Sequence, residues 1–344
     1  MALVLGGFRG DGKQFSQKIQ IYVGCGLIIL IGGLRFDIGY DYYMYYLSIL
    51  NGNTEKYLYT EPISGVILYL GYLTQFPPLS FFIFSTLTYV LVIRTLYKYS
   101  DNLGLSLLIY FCLFFISSFS TIRQALGVAI IFSGYGLMKE KRFIRYFLLC
   151  LVGCLAHNSA IVGIIIYVVY NYIKPKYLPV IVVVLSLSVA LIFNLVNNYL
   201  PQYTVYVDSI EAGADTYKGG SKMQYFYLAF NAFILFVARI WKTRINWNLF
   251  AITLMGAFVP LLMGNPHLGM RVADYFNIYL CLFVPMAVVK APIFIKCSII
   301  SLVAALFLLT IYISSISREN DRPLTPYKSV FEVEDFRHPP LKYV

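Results

Sequence analysis

Ser117-Ser118-Phe119-Ser120-Thr121-Ile122-Arg123-Gln124-Ala125-Leu126-Gly127-Val128-Ala129-Ile130-Ile131-Phe132 sets a guanidinium and an amide in the middle of a long apolar tract. Apolar residues run for a full membrane span before it and for most of a second span after it. No acid lies beside Arg123 in the sequence. An unpaired guanidinium at the bilayer centre costs roughly 2.5–3.5 kcal/mol even on lenient insertion scales. The position is tolerable at an aqueous mouth or against an anion, so the stretch reads as two spans meeting at a polar boundary. The bland alternative is a helix-end arginine snorkelling to lipid phosphate.

Working outward, the whole chain agrees with a membrane. Of its 344 residues 59% are apolar and 12% charged, against roughly 25% charged in soluble domains. The apolar runs are continuous rather than alternating, which predicts an all-α polytopic membrane protein. Spans are expected at 19–34, 79–97, 103–121, 124–138, 143–156, 158–173, 179–197, 223–241, 248–264, 272–289 and 293–316. That makes about eleven transmembrane helices, some short of the ~20 residues a bilayer needs. Residues 62–75 end at Phe76-Pro77-Pro78, where a helix cannot continue. They read as a re-entrant or interfacial segment.

Three regions follow. Residues 1–18 form an N-terminal stub, whose Met1–Gly7 is too short to span and is expected to be the remnant of a longer first span. Residues 19–316 form a single transmembrane domain with outer loops 35–78 and 198–222. Residues 317–344 are a tail whose balanced charges leave its side open.

The net charge of +11 does not form one basic patch, so nucleic acid is not expected as a partner. With the N-terminus inside and 62–75 not counted as a crossing, the clusters Arg94/Lys98, Lys139/Lys141/Arg142/Arg145, Lys174/Lys176, Arg239/Lys242/Arg244 and Lys290/Lys296 all fall in the cytoplasm. Counting 62–75 as a span would turn most of them outward. The six cysteines lie in or beside apolar runs, and Cys150 and Cys154, one turn apart, have no His or acid beside them. Neither a metal site nor a disulfide framework is expected.

This topology gathers the remaining polar groups on the outer side: Arg35, Asp37 and Asp41, then Glu61, Arg123 and Gln124, His157 to Ser159, the loop 198–222, and His267, Arg271 and Asp274. Each has a bland reading as well. Leu34 to Tyr46, with Tyr42 and Tyr45 in a tyrosine run, would serve as an interfacial helix in which Arg35 pairs with Asp37 or Asp41. His157 joins two apolar helices in a tight turn, where it is either an interfacial residue or a base suited to neutral pH. Arg271 opens a helix whose dipole favours an anion, although Asp274 at i+3 is placed to neutralise it. The loop 198–222 is long enough for a lid.

The order Leu34-Arg35-x-x-x-Gly39-x-Asp41-Tyr42, then Arg123-Gln124 with Ala129, His157-x-Ser159-Ala160 and a late Arg271-x-x-x-Tyr275 resembles the EpsG-like family of Wzy-type O-antigen, capsule and exopolysaccharide polymerases. The resemblance runs from about 34 to 290. Two departures are Tyr40, where such sequences commonly have Thr, and the missing first span. The resemblance implies a glycosyltransferase of the bacterial cytoplasmic (inner) membrane. It would join polyprenyl-pyrophosphate-linked oligosaccharides, donor and acceptor, on the periplasmic or extracellular side. A chain-length regulator and a flippase are the partners it implies, along with membrane lipid, and no cofactor.

In agreement, the sequence has no Asp-x-Asp metal motif, Gly-rich phosphate loop or nucleotide-binding domain. Arginine suits a lipid-linked diphosphate because its planar fork binds phosphate bidentately. The expected catalytic residues are Arg123 and Arg271 on the diphosphate and His157 as base, with Asp41 as the second choice. Arg35, Asp37, Gln124, His267, Tyr42, Tyr45 and Tyr275 are expected to bind substrate. An O-antigen ligase using the same donor, or a lipid-linked glycan flippase, would carry similar groups.

Overall fold

The computed structural model describes residues 14–173, 220–262, 266–316 and 325–336, with isolated positions between 174 and 195. Nearly all of the span expected at 179–197, most of the stub, and the loop 198–222 up to Gly220 lie outside the described residues. The described elements are helical, apart from one isolated bridge between Arg35 and Ser329.

Helix bounds follow the apolar runs closely: Gln14–Gly33, Pro62–Leu73, Pro78–Tyr99, Phe143–Ala156, Gly220–Ile240, Trp247–Leu262 and Ile293–Ile316. Three described helices are long and apolar enough to cross a bilayer, namely Pro78–Tyr99, Met223–Ile240 and Ile293–Ile313. Other apolar helices, such as Leu103–Phe115 and Phe143–Ala156, have 10–17 residues. The reason is that several expected spans are interrupted. The 103–121 run divides into the α-helix Leu103–Tyr110, a π-turn at Phe111–Phe115 and a short turn at Ser117–Ser120. Ser117 and Ser118 donate their hydroxyls to the carbonyls of Phe114 and Phe115, at 2.8 and 2.6 Å, in competition with the helical ladder. A new helix then starts at Ile122. The 272–289 run is likewise split into Pro266–Asn277 and Leu280–Ala287.

The chain divides into two compact units. The first comprises Met1–Gly136, Ile144–Ile161 and Pro292–Val344. In it Pro78–Tyr99 packs against both Gln14–Gly33 and Ile122–Ser133. Its core is aromatic: Phe36, Tyr42, Tyr45, Tyr46, Tyr57, Phe81 and Phe84 surround Ile122 and Leu126. Gly39 makes one tight approach possible. It sits at φ +104, and a Cβ there would lie 2.6 Å from the Phe119 carbonyl oxygen, so only glycine fits.

The C-terminal segment is part of this unit. Phe36 N–H donates to the Lys328 carbonyl at 2.9 Å, and Val330 N–H donates to Leu34 at 2.9 Å. The Tyr46 hydroxyl donates to Phe336 at 2.9 Å, while Val330 and Val333 enter the aromatic core. Charge balance left the side of this tail open. Its packing on Leu34–Tyr46 puts both segments on one side.

The second unit comprises Leu137–Phe143 and Val162–Ala291. Two helices flank Trp247–Leu262 most closely, Pro266–Asn277 and Gly220–Ile240, and Gly163–Tyr172 also packs on it. A buried reciprocal contact joins Gly220–Ile240 to Trp247–Leu262: the Thr253 hydroxyl donates to Asn231 Oδ1 at 2.6 Å, and the Asn231 amide donates to the Thr253 carbonyl at 3.4 Å. Small polar groups of this kind hold helices together where lipid removes the hydrophobic drive.

Candidate active site

In the first unit, three helix ends bring an acid, a cation and an imidazole together. Glu61 precedes Pro62, which keeps it out of the helical region, at φ −143 and ψ 73. Arg123 stands in the first turn of Ile122–Ser133, just after the break at Thr121. His157 occupies the gap between Phe143–Ala156 and the 3₁₀ turn Asn158–Val162. Each interruption in a helix thus presents one member of this group.

Glu61 is the hub. Its Oε2 receives Arg123 Nη1 in an ion pair. Its Oε1 lies 2.7 Å from His157 Nδ1 and accepts the Asn158 N–H at 3.1 Å. The Arg123 Nε donates to the Tyr45 hydroxyl at 3.0 Å, and the guanidinium lies over the rings of Tyr57 and Tyr45, 4.5 and 5.3 Å from their centres. Side-chain exposure is 4% for Glu61, 16% for Arg123 and 23% for His157. The acid is interior, while the cation and the imidazole keep an open edge.

Burial raises the Glu61 carboxyl, but the His157 hydrogen bond and the charges of His157 and Arg123 outweigh it and hold it below its ordinary value. Glu61 is therefore a carboxylate near neutral pH and can only accept from His157. Nδ1 carries the proton, and in the neutral ring Nε2 keeps its lone pair. Burial pushes the Tyr45 hydroxyl up to about 12, against the pull of Arg123, so it stays a neutral phenol. Asp41, whose charge acts on Tyr45, heads the helix Tyr42–Leu50 and is partly exposed.

Other expected site residues are placed differently. Arg35 is 1% exposed and donates to the carbonyls of Gly32, Ile38 and Phe119. It also stacks over Phe119 at 4.7 Å, so its fork is spent on the fold and not offered to an anion. Tyr42 is fully buried and stacked on Phe81 at 4.3 Å, which makes it core and not a sugar platform. Asp37 and Gln124 are also buried.

In the second unit, Arg271, Asp274 and Tyr275 lie on Pro266–Asn277, where Arg271 and Asp274 interact electrostatically and Tyr275 is buried. The side chain of His267 lies outside the described set. Among the described residues no group of His, Cys, Asp and Glu could hold a metal ion.

In the sequence Glu61 is only one more outer-side acid. The available signal was its type and place, a glutamate next to a proline in front of an apolar helix. Its partners are 62 and 96 positions away, so nothing local named them.

The EpsG family model matches residues 18–329. No curated protein and no solved structure gives a significant match. With nearly the whole length matched, the chain belongs to the EpsG family, a membrane protein of polysaccharide-polymerase type.

Proposed function

We propose that this protein is a glycosyltransferase that lengthens a polysaccharide by joining polyprenyl-pyrophosphate-linked oligosaccharides at the outer face of the bacterial cytoplasmic membrane. The proposed topology is that of about eleven crossings, each short helix counted with its continuation. The observation that supports it best is the Glu61–His157–Arg123 cluster, in which a carboxylate orients an imidazole beside a partly exposed guanidinium.

In the proposed step the acceptor sugar hydroxyl gives its proton to His157 Nε2. The freed oxygen attacks the anomeric carbon of the donor from the face opposite the diphosphate, and the configuration inverts. The C–O bond to the diphosphate breaks and its electron pair leaves with the diphosphate, a good leaving group that needs no general acid. Glu61 is a positioning residue, fixing the imidazole tautomer and stabilising the imidazolium that forms.

The electrostatics match that step. Before reaction Arg123 and Glu61 cancel. Once His157 takes the proton, the cluster carries one positive charge, at the moment negative charge collects on the leaving diphosphate. Arg123 keeps Nη2 free of hydrogen bonds to described residues and can use it on a phosphate oxygen. Arg271 enters this reading from its motif, and Arg271→Ala tests it separately.

The test is elongation by detergent-purified protein given the lipid-linked unit alone. Wild type is expected to give products of many units, and Arg123→Ala to lose at least about 100-fold in rate, the order seen when one stabilising donor is removed. Arg123→Lys, which keeps the charge, is expected to recover part of it. Transfer only after adding a lipid A core acceptor would mark a ligase instead. Absence of any coupled product would favour a transporter.

A further inference from the structure

A pocket of about 420 Å³ opens in the second unit where the turn 241–246 joins Gly220–Ile240 to Trp247–Leu262; Arg239, Lys242, Thr243, Arg244, Trp247 and Lys290 line it. In the proposed topology the charge pattern puts this end of the helices in the cytoplasm. Topology alone explains why basic residues occur here. It does not explain the pocket or what lines it.

Four cations face this cavity, and among the described residues no acid pairs with any of them. All four are exposed, so they hold nothing in the core. The Arg239 guanidinium lies 5.1 Å from the centre of the Trp247 ring, which fixes one wall. Between the cations sits Thr243, whose side chain is buried and whose hydroxyl has no hydrogen-bond partner among the described residues. The backbone puts it there. Lys242 turns the chain at φ +47, and the Thr243 N–H closes back on the Ala238 carbonyl at 2.9 Å.

A buried hydroxyl left without a partner is destabilising. A phosphate oxygen would satisfy it and meet the cations in the same place. A tryptophan flanking a basic pocket, at the end of a helix of membrane-crossing length, belongs to the headgroup region of a bilayer.

We propose that this pocket binds a phosphate-bearing anion at the cytoplasmic membrane boundary, the phosphodiester headgroup of an acidic lipid. The inference is independent of the glycan chemistry proposed above.

The test measures thermal unfolding of the full purified chain in neutral detergent. Three probes are titrated: dioleoyl phosphatidylglycerol, dioleoyl phosphatidylcholine and inorganic phosphate. Phosphatidylglycerol is expected to raise the melting temperature and phosphatidylcholine to leave it unchanged. The half-saturating concentration is expected to rise about fivefold in Arg244→Gln and in Lys290→Gln, and about 25-fold in the double variant, from roughly 1 kcal/mol per cation near a charged headgroup. Thr243→Val is expected to weaken the response as well.

Stabilisation by inorganic phosphate that fades in the same variants would support the pocket while showing that the phosphate alone suffices. Absence of any shift with either anion, or an undiminished shift in the folded double variant, would overturn the proposal.

Discussion

Glu61 decides how the polar residues of the first unit are used. Breaking a buried pair by removing one partner costs about 3–5 kcal/mol, and Glu61→Gln is expected near the lower end because Arg123 keeps an exposed edge. The sign of the pH dependence follows from a carboxyl held below its ordinary value. Its stabilisation is complete above the unfolded-state value of about 4.3 and is lost as pH falls through the lower folded-state value. The melting-temperature gap between wild type and Glu61→Gln should therefore close below about pH 4. A gap that kept its neutral-pH size below that point would refute this reading of the carboxylate. Arg123 and His157 were visible in the sequence because each is out of place in an apolar run. Arg35 stood out for the same reason, yet it is buried on three carbonyls. A lone arginine looks alike in both settings, and only the groups folded around it separate structure from function.

At the scale of elements, the apolar runs named most helices to within a few residues, since a helix in lipid must satisfy its own backbone. The interruptions were not legible. Nothing in Phe111 to Thr121 announces a π-turn followed by a fresh helix start, because the serine hydroxyls that loosen the ladder are equally common in unbroken membrane helices. Those breaks matter, since Arg123 and His157 both stand at one. Gly39 is the element-level feature most exposed to test. Gly39→Ala would put a Cβ against the Phe119 carbonyl in a backbone region that L side chains avoid, at an expected cost of about 1–3 kcal/mol. Thermal unfolding of the purified variant should show it, and an unchanged melting temperature would mean that this approach is not close in solution.

At the scale of the molecule, the sequence predicted a membrane protein with its polar groups facing outward. It gave no sign of two compact units, because apolar runs look alike whichever neighbour they pack on. Nor did it reveal that residues 325–336 complete the core of the first unit, since Val330 and Val333 are two valines in a polar segment. Truncation before Thr325 is expected to remove roughly 3 kcal/mol of valine burial and to lower the melting temperature, while a shortened chain as stable as the full one would contradict this packing. The proposed chemistry rests on the imidazole beside Glu61. Its most direct test is the turnover of His157→Ala in the elongation assay with purified protein, at neutral pH and matched folded fraction. A fall in kcat of about 100-fold or more with KM little changed is predicted, and turnover at the wild-type rate would contradict it.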